Sequence, residues 1–432
     1  MIYLAGMALA PLALRAQNPA SAAEFGIEER VRNENWNNVF DYTQKTDDER
    51  EQVRFRTRAW VKLPVTSSVD VNVGLNSESN YKFGQLNVFD EVMFETANIA
   101  IRNIGVKGLS LKVGRQDISK GEGLILLEGT PGDGSRGLYL NAADLSYAYR
   151  KSTVEVIGIL DPRTDRFLPK FNTQNKTLIE WNEQALGLYY TDNNTANTTW
   201  EAYYSHKKET GDARAVTNYQ HQADRRVETA GARLKRKINA QWSFTGEFAR
   251  QWGSAHPGTP IGAWAAYGYA TRNFQHAAKP YVTVGYWALS GDDPANSGRI
   301  SGWDPLFSRW PKWGDLELYS EAYEKGVGYA TNQKRISLEG GFTPFSKATL
   351  KFMYYKISAF HPFGFRPAIF GTGTDRGQNV QSRLDFQVNS YVRGHVDFET
   401  LLPGSFYVGK DRSYFLRFEL IAQAKALVHI RD

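Results

Sequence analysis

Cysteine is absent from the 432-residue sequence, and methionine occurs only 4 times. Without thiols there are no disulfide staples and no thiolate metal sites. The 7 histidines are scattered, and none has the His-Glu-x-x-His spacing of a zinc hydrolase. Long apolar runs are missing too. Beyond the N-terminus no stretch approaches the ~18 residues of a spanning helix, and mean hydropathy is −0.49. That argues against a helical membrane protein. It leaves a membrane β-barrel open, because only alternate residues of such strands meet lipid.

Other chemistry is equally thin. Glu128–Gly137, "EGTPGDGSRG", lacks the Gly-Lys-Ser/Thr ending of a phosphate loop and reads as a flexible connection. In "GDDPANSG", Asp292 and Asp293 fall short of the six to eight oxygens that calcium takes. Ser205-His206 is an isolated pair, with no assembled nucleophilic set around it. The expectation is no enzyme, no metal and no cofactor. Net charge is +6, but the cations are dispersed and strand-alternating, unlike a nucleic-acid patch.

What is plentiful is tyrosine (23), phenylalanine (24), tryptophan (11) and glycine (38). The first residues have the apolar core and small-residue ending of a secretory signal, assigned to 1–22. Period-2 segments follow. Val69, Val71, Val73 and Leu75 alternate with Asp70, Asn72, Gly74 and Asn76, and comparable stretches occupy 143–150, 241–251 and 382–389. Such alternation specifies strands with one apolar face. Val154–Leu160 and Gln184–Tyr190 are apolar on both parities, which suits soluble-core strands or strands whose inner face is packed by a loop.

Connections alternate between short and long. Short ones fall at Pro64–Ser67, Asn103–Gly108, Lys151–Ser152, Asn193–Asn197, Ile238–Asn239, His276–Ala278, Pro344–Lys347 and around Gly394. Long ones fall near Asn35–Glu51, Ser119–Arg136, Asp161–Glu183, Lys207–Arg225, Gly291–Ala330 and His361–Asn379, with shorter members at Ser77–Gln85, Gly253–Ile261 and Pro403–Asp411. Outer-membrane barrels sort their loops this way, whereas a soluble sandwich has no reason to. The expectation is an all-β transmembrane antiparallel barrel of about 18 strands. It occupies 23–421 as one domain, with 422–432 left as an extension.

Several motifs resemble the alginate export family of outer-membrane proteins. "FDEVMFETANI" (Phe89–Ile99) followed by "LSLKVGRQDISKGEG" (Leu109–Gly123) is similar to a strand pair of that family. "VQSRLDFQVNSYV" (Val380–Val392), "VDFETLLPGSFY" (Val396–Tyr407) and "SYFLRFEL" (Ser413–Leu420) resemble its late strands. The resemblance implies an 18-stranded monomeric barrel in the bacterial outer membrane. It also implies an arginine-rich constriction passing an anionic polysaccharide, and a periplasmic synthesis or export complex as partner. Arg115 carries over from the Gly-Arg-Gln motif, and Glu91 and Asp385 less directly. The residues after Leu420 depart from the family's aromatic-ended last strand.

On a barrel, "QVRFRTRAWVKLP" (Gln52–Pro64) sorts itself. Val53, Phe55, Ala59, Val61 and Leu63 face lipid, since Arg or Lys at mid-membrane costs ~2–4 kcal/mol on that face. Arg54, Arg56, Arg58 and Lys62 then face the lumen, and Trp60 packs on a luminal neighbour or an inserted loop. The same parity places Lys112, Arg150, Arg335, Arg383 and Arg417 inside. Arg115 shares parity with Val113, so either a bulge near Gly114 re-aims it or it sits at the rim. Luminal acids are Glu91, Glu155, Glu247, Asp385 and Glu419. These charges read either as structural ion pairs or as a ring choosing solute sign. An excess of guanidinium favours carboxylates. Trp303, Trp310 and Trp313 mark an aromatic loop that packs into the barrel mouth or stacks on sugar rings. The functional expectation is an anion-passing channel. A nutrient-uptake porin for small anions or oligosaccharides is the alternative, and a soluble or surface-anchored carbohydrate-binding protein a more distant one.

Overall fold

The computed structural model describes residues 22–46, 48–82, 85–128, 139–169, 171, 181–211, 224–296, 298–309, 312–326 and 328–429. Eighteen strands close into one antiparallel barrel. In order they are β1 (Ala22–Asn37), β2 (Arg50–Pro64), β3 (Val69–Lys82), β4 (Gln85–Arg102), β5 (Leu109–Gln116) and β6 (Leu140–Tyr149). Next come β7 (Ser152–Asp161), β8 (Asn182–Asp192), β9 (Thr198–Thr210), β10 (Arg225–Lys237), β11 (Trp242–Ala255) and β12 (Thr259–Asn273). The last are β13 (Tyr281–Leu289), β14 (Gln333–Phe345), β15 (Ala348–Ser358), β16 (Asp375–Gln387), β17 (Val392–Pro403) and β18 (Ser413–His429).

Closure comes from β18 pairing with β1, from Ala22↔His429 to Asn37↔Tyr414. Residues 422–429, expected to lie beyond the barrel, are therefore the end of its closing strand. They extend because β1 offers a partner for every one of them, which leaves no edge exposed. Three connections are also corrected. The turn expected around Gly394 is at 388–391, before β17. Ser77–Lys82 belongs to β3, and only 256–258 separate β11 from β12. At each site the ladder continues because neighbouring backbone is available to pair.

The outer surface is apolar, as lipid requires. Phe25, Ile27, Val31, Phe55, Ile99, Val113, Leu186, Leu188, Val284, Leu338, Leu416 and Phe418 are exposed on it. The opposite parity is buried and charged. Two bulges adjust which residues turn inward. Opposite Gly74–Leu75, β4 carries one extra residue, Glu95, so the buried parity switches from Met93 and Glu95 to Asn98. Opposite Ile357–Ser358, β16 carries Arg376 as its extra residue, also buried. A bulge puts two consecutive residues against one partner and re-aims them.

The apolar core lies inside the barrel, under two inserted loops. Residues 117–128 contribute Leu124, Ile125 and Leu126, and a small antiparallel pair, Ile118–Ser119 with Leu127–Glu128. Residues 290–332 contribute Trp303, Leu306, Phe307, Trp313 and Leu316, and a short helix α1 (Leu318–Glu324). The loops are tied by Leu127 N–H to Phe307 O (3.1 Å) and Phe307 N–H to Ile125 O (3.0 Å). They cover Ile157, Ile159, Tyr189 and Tyr203 of the adjacent wall. That is why β7 and β8 are apolar on both faces: one meets lipid and the other meets loop.

Candidate functional site: the charged lumen

One wall of the lumen, from β16 through β18 and β1 to β4, carries alternating Arg and Glu. The pattern arises on adjacent strands whose inward rows come into register. Arg54, Arg56 and Arg58 of β2 stand opposite Arg32, Arg30 and Glu28 of β1. Like-charged guanidiniums side by side need carboxylates between them.

Glu34, with a fully buried side chain, accepts from Arg417 (2.6 Å), Arg54 (3.0 Å) and Arg32 (3.3 Å). Glu28 holds Arg56 (3.1 Å), Arg58 (3.3 Å) and Arg393 (3.2 Å). Glu78 reaches Arg54 at 3.3 Å and Arg30 at 3.7 Å. Glu95 takes Arg58 at 2.6 Å. Glu419 takes Arg32 at 2.6 Å and approaches His395 at 3.3 Å. Shared carboxylates and bidentate geometry are strong interactions in a low-dielectric wall.

The pairing is not complete. Arg56 is only 2% exposed, yet its Nε and Nη1 have no hydrogen-bond partner among the described residues. Buried donors without partners are costly and uncommon. Arg56 also lines a recess of about 700 Å³ at the short-turn end of the lumen. Its charged lining is Arg30, Arg32, Arg56, Arg383, Arg393 and Lys347 against two carboxylates, Asp385 and Glu419. Arg383 binds Asp385 (2.8 Å), which also holds Lys351 (3.0 Å).

The other expected residues distribute as follows. Lys62 is exposed near the short-turn end and pairs with Glu24 at 3.1 Å. Trp60 lies over Gly26 of β1, donates Nε1–H to Glu24 at 2.9 Å and sits beside Arg58. Lys112 is opposite Asp144 across β5 and β6. Glu155 pairs with Lys120 of the first inserted loop at 2.5 Å. Glu247 accepts the hydroxyls of Tyr203 (2.7 Å) and Tyr267 (2.6 Å). Arg115 keeps its partners Ala97 and Asn141 in unbroken register, so Gly114, despite φ of 121°, makes no register shift. Arg115 is buried at the long-loop rim, clamped by both oxygens of Asp165 at 2.8 Å and stacked on Tyr139. The side chain of Glu91 and all of Trp310 lie outside the described residues.

Two expectations are corrected. Arg150 is not luminal: it is exposed in the turn between β6 and β7, at φ 54°, because β6 ends at Tyr149. Trp303 is 1% exposed and Trp313 is 9% exposed. Trp313 packs edge-on against Trp287 and carries Arg335 on its face. Neither ring has a free face for a sugar.

The loop bearing these tryptophans is pinned to the wall by four carboxylates. Asp304 pairs with Arg225 of β10, and Asp315 with Arg417 of β18 at 2.9 Å. Glu317 grips Arg335 of β14 (2.9 and 2.5 Å), and Glu324 grips Arg376 of β16 (2.7 and 2.5 Å). Arg335 and Arg417 were expected to line a pore; here they anchor its contents. Glu321, buried on α1 beside Glu317, is pushed up to about 8 by burial, and accepts from Gln333 at 3.0 Å. Asp292, one of the calcium candidates, instead caps the N–H groups of Ser301 and Gly302 at 2.7 Å and pairs with Lys325 at 2.6 Å.

A family model described as "Alginate export" matches residues 21–415. The chain belongs to the alginate export family. Solved structures similar to it are outer-membrane porins of Pseudomonas aeruginosa. OccK7 (OpdD) is 10% identical at a TM-score of 0.58, with 95% of this chain and 100% of that one covered. OprD is 10% identical at 0.57, covering 94% of each. OccK2 (OpdF) in complex with glucuronate is 12% identical at 0.56, covering 93% of this chain and 98% of that one. No curated protein matches the chain. With its lipid-compatible outer belt and its family, this barrel is an outer-membrane channel.

Residues Arg30, Arg32, Arg376 and Arg393 were not singled out from sequence. For Arg30 and Arg32 the signal existed: Phe25, Ile27 and Val31 set the lipid parity of β1. Arg376 depends on a bulge, which leaves no mark in the alternation.

Proposed function

We propose that this channel passes small anionic solutes, carboxylates foremost, through the arginine-lined recess. The observation that carries this is the lining there: six cations and two carboxylates meet the recess, the further partners Glu28, Glu34 and Glu78 lie behind the arginines, and buried Arg56 keeps two donors unpartnered among the described residues. Guanidinium donors match carboxylate oxygens in pairs. Several weak sites in a row permit entry without trapping. The glucuronate complex of the structurally similar OccK2 is consistent with this solute class.

Size follows from the inserted loops. The 290–332 loop contacts strands from β9 to β18, which favours monomers or short oligomers over a polymer unless the loop swings out. Export of an anionic polysaccharide, the activity named by the family, requires that displacement and a periplasmic partner.

The test is the reversal potential of single channels in a planar bilayer under a KCl gradient. A chloride-favouring potential, and a current reduced by millimolar glucuronate, are expected. Cation preference overturns the proposal.

A further inference from the structure

A second recess, of about 430 Å³, lies at the short-turn end on the far side of the ring. It is formed by β9 to β12 and the turns before β7, β9 and β11, about half the strand circuit away from the arginine recess. Its lining includes Lys151, Lys235, Lys237, Asn197, Thr199 and Asn239, and no carboxylate among the described residues. The inward row of β10 shows how it differs from the wall above. Arg225 and Arg233 each hold acids, Glu209 with Asp304 and Glu201 with Glu122. Two residues on, Lys235 is opposite Thr199, and Lys237 is opposite Ser243. Neither lysine has an acidic partner among the described residues, and both are exposed. The charge is therefore uncompensated where the lumen opens.

We propose that this lysine recess is an entry subsite for hydroxylated carboxylates, separate from the arginine recess; this rests on the anion reading above. Lysines supply hydrated, mobile point charges that attract without holding tightly. The amides and hydroxyls of Asn197, Asn239, Thr199 and Ser243 can bond sugar-type hydroxyls in either donor sense. A mouth lined by one charge sign raises local counter-ion concentration and association rate. Two cationic recesses on opposite walls would engage a solute carrying charges at both ends.

The probe is trigalacturonate, titrated calorimetrically into the detergent-folded barrel. The variants are Lys151→Gln/Lys235→Gln/Lys237→Gln, alone and in an Arg383→Gln/Arg393→Gln background, where the other recess is weakened. Folding is checked by the heat-dependent gel shift of the barrel, and Lys237→Gln alone serves if the triple variant fails it. About tenfold weaker binding is expected in both backgrounds, with slower current block only for probe added from the short-turn side. Unchanged affinity in both backgrounds overturns the subsite, whatever the selectivity of the channel. Weakened binding in a channel that prefers cations would keep the subsite and remove the anion-transport reading.

Discussion

Glu34 is the residue on which the arginine wall turns. Three guanidiniums, on β1, β2 and β18, share its two oxygens. Removing one partner of a buried charge network costs ~3–5 kcal/mol, because the remaining charges stay buried. Glu34→Gln should therefore lower the urea midpoint of barrel unfolding, read by loss of the heat-dependent gel shift; an unchanged midpoint would mean the network relaxes into water. The same logic redirects charge reversal. Arg54, Arg56 and Arg58 looked like the natural targets, but they hold Glu34, Glu78, Glu28 and Glu95. Glutamates there would break the wall before they tuned the pore. Arg383 is more accessible, with its side chain 29% exposed, and Arg393 more so at 46%. Arg383→Glu/Arg393→Glu should leave the barrel folded and move the reversal potential toward cations. Gly26 is a packing counterpart: a Cβ there would overlap the Trp60 ring. Gly26→Val should displace Trp60 and destabilise the barrel by about 1–3 kcal/mol, seen as altered tryptophan fluorescence and a lower urea midpoint.

At the scale of elements, the 290–332 loop behaves as a charged plug whose grip is set by its carboxylates. Glu321 is the sensitive one. Its carboxyl is raised to about 8 by burial, from an unfolded value of about 4.3. The docked loop thus binds more protons than a released one between those pH values. Docking gains stability from Glu321 below about pH 4.3, and that contribution is lost as pH rises through about 8. Conductance should increase over this window as the loop loosens. Glu321→Gln should flatten that component, while a wild-type pH response retained in the variant would assign it elsewhere. Glu317→Gln/Glu324→Gln, which removes two of the four wall anchors, should give larger and noisier single-channel currents at all pH values.

The whole molecule is organised by two solvents. Lipid outside selects apolar side chains at alternate positions, and closure of β1 onto β18 satisfies the backbone where water is absent. Inside, the space is divided among loop-packed apolar surface, a cross-linked charge wall and two open cationic recesses. The mature chain should accordingly require detergent or lipid to remain monomeric; a monomer stable in plain buffer would be incompatible with this belt of exposed Phe, Leu, Ile and Val.

Strand parity and the alternation of loop lengths were legible from the chain alone, because lipid penalises every polar residue on one face and so writes a period of two. On β2 this placed Arg54 and Arg56 inside, and on β7 and β8 it left two options that only the inserted loops could decide. Trp303 and Trp313 read first as loop packing, with sugar platforms as the sharper alternative, until their burial decided between them. Arg376 and Asn98 depend on bulges, and which arginine meets which glutamate depends on strands hundreds of residues apart, as Arg417 and Glu34 are. A linear pattern records the face a side chain takes. The partner it finds there is set by closure of the ring and by what folds inside it.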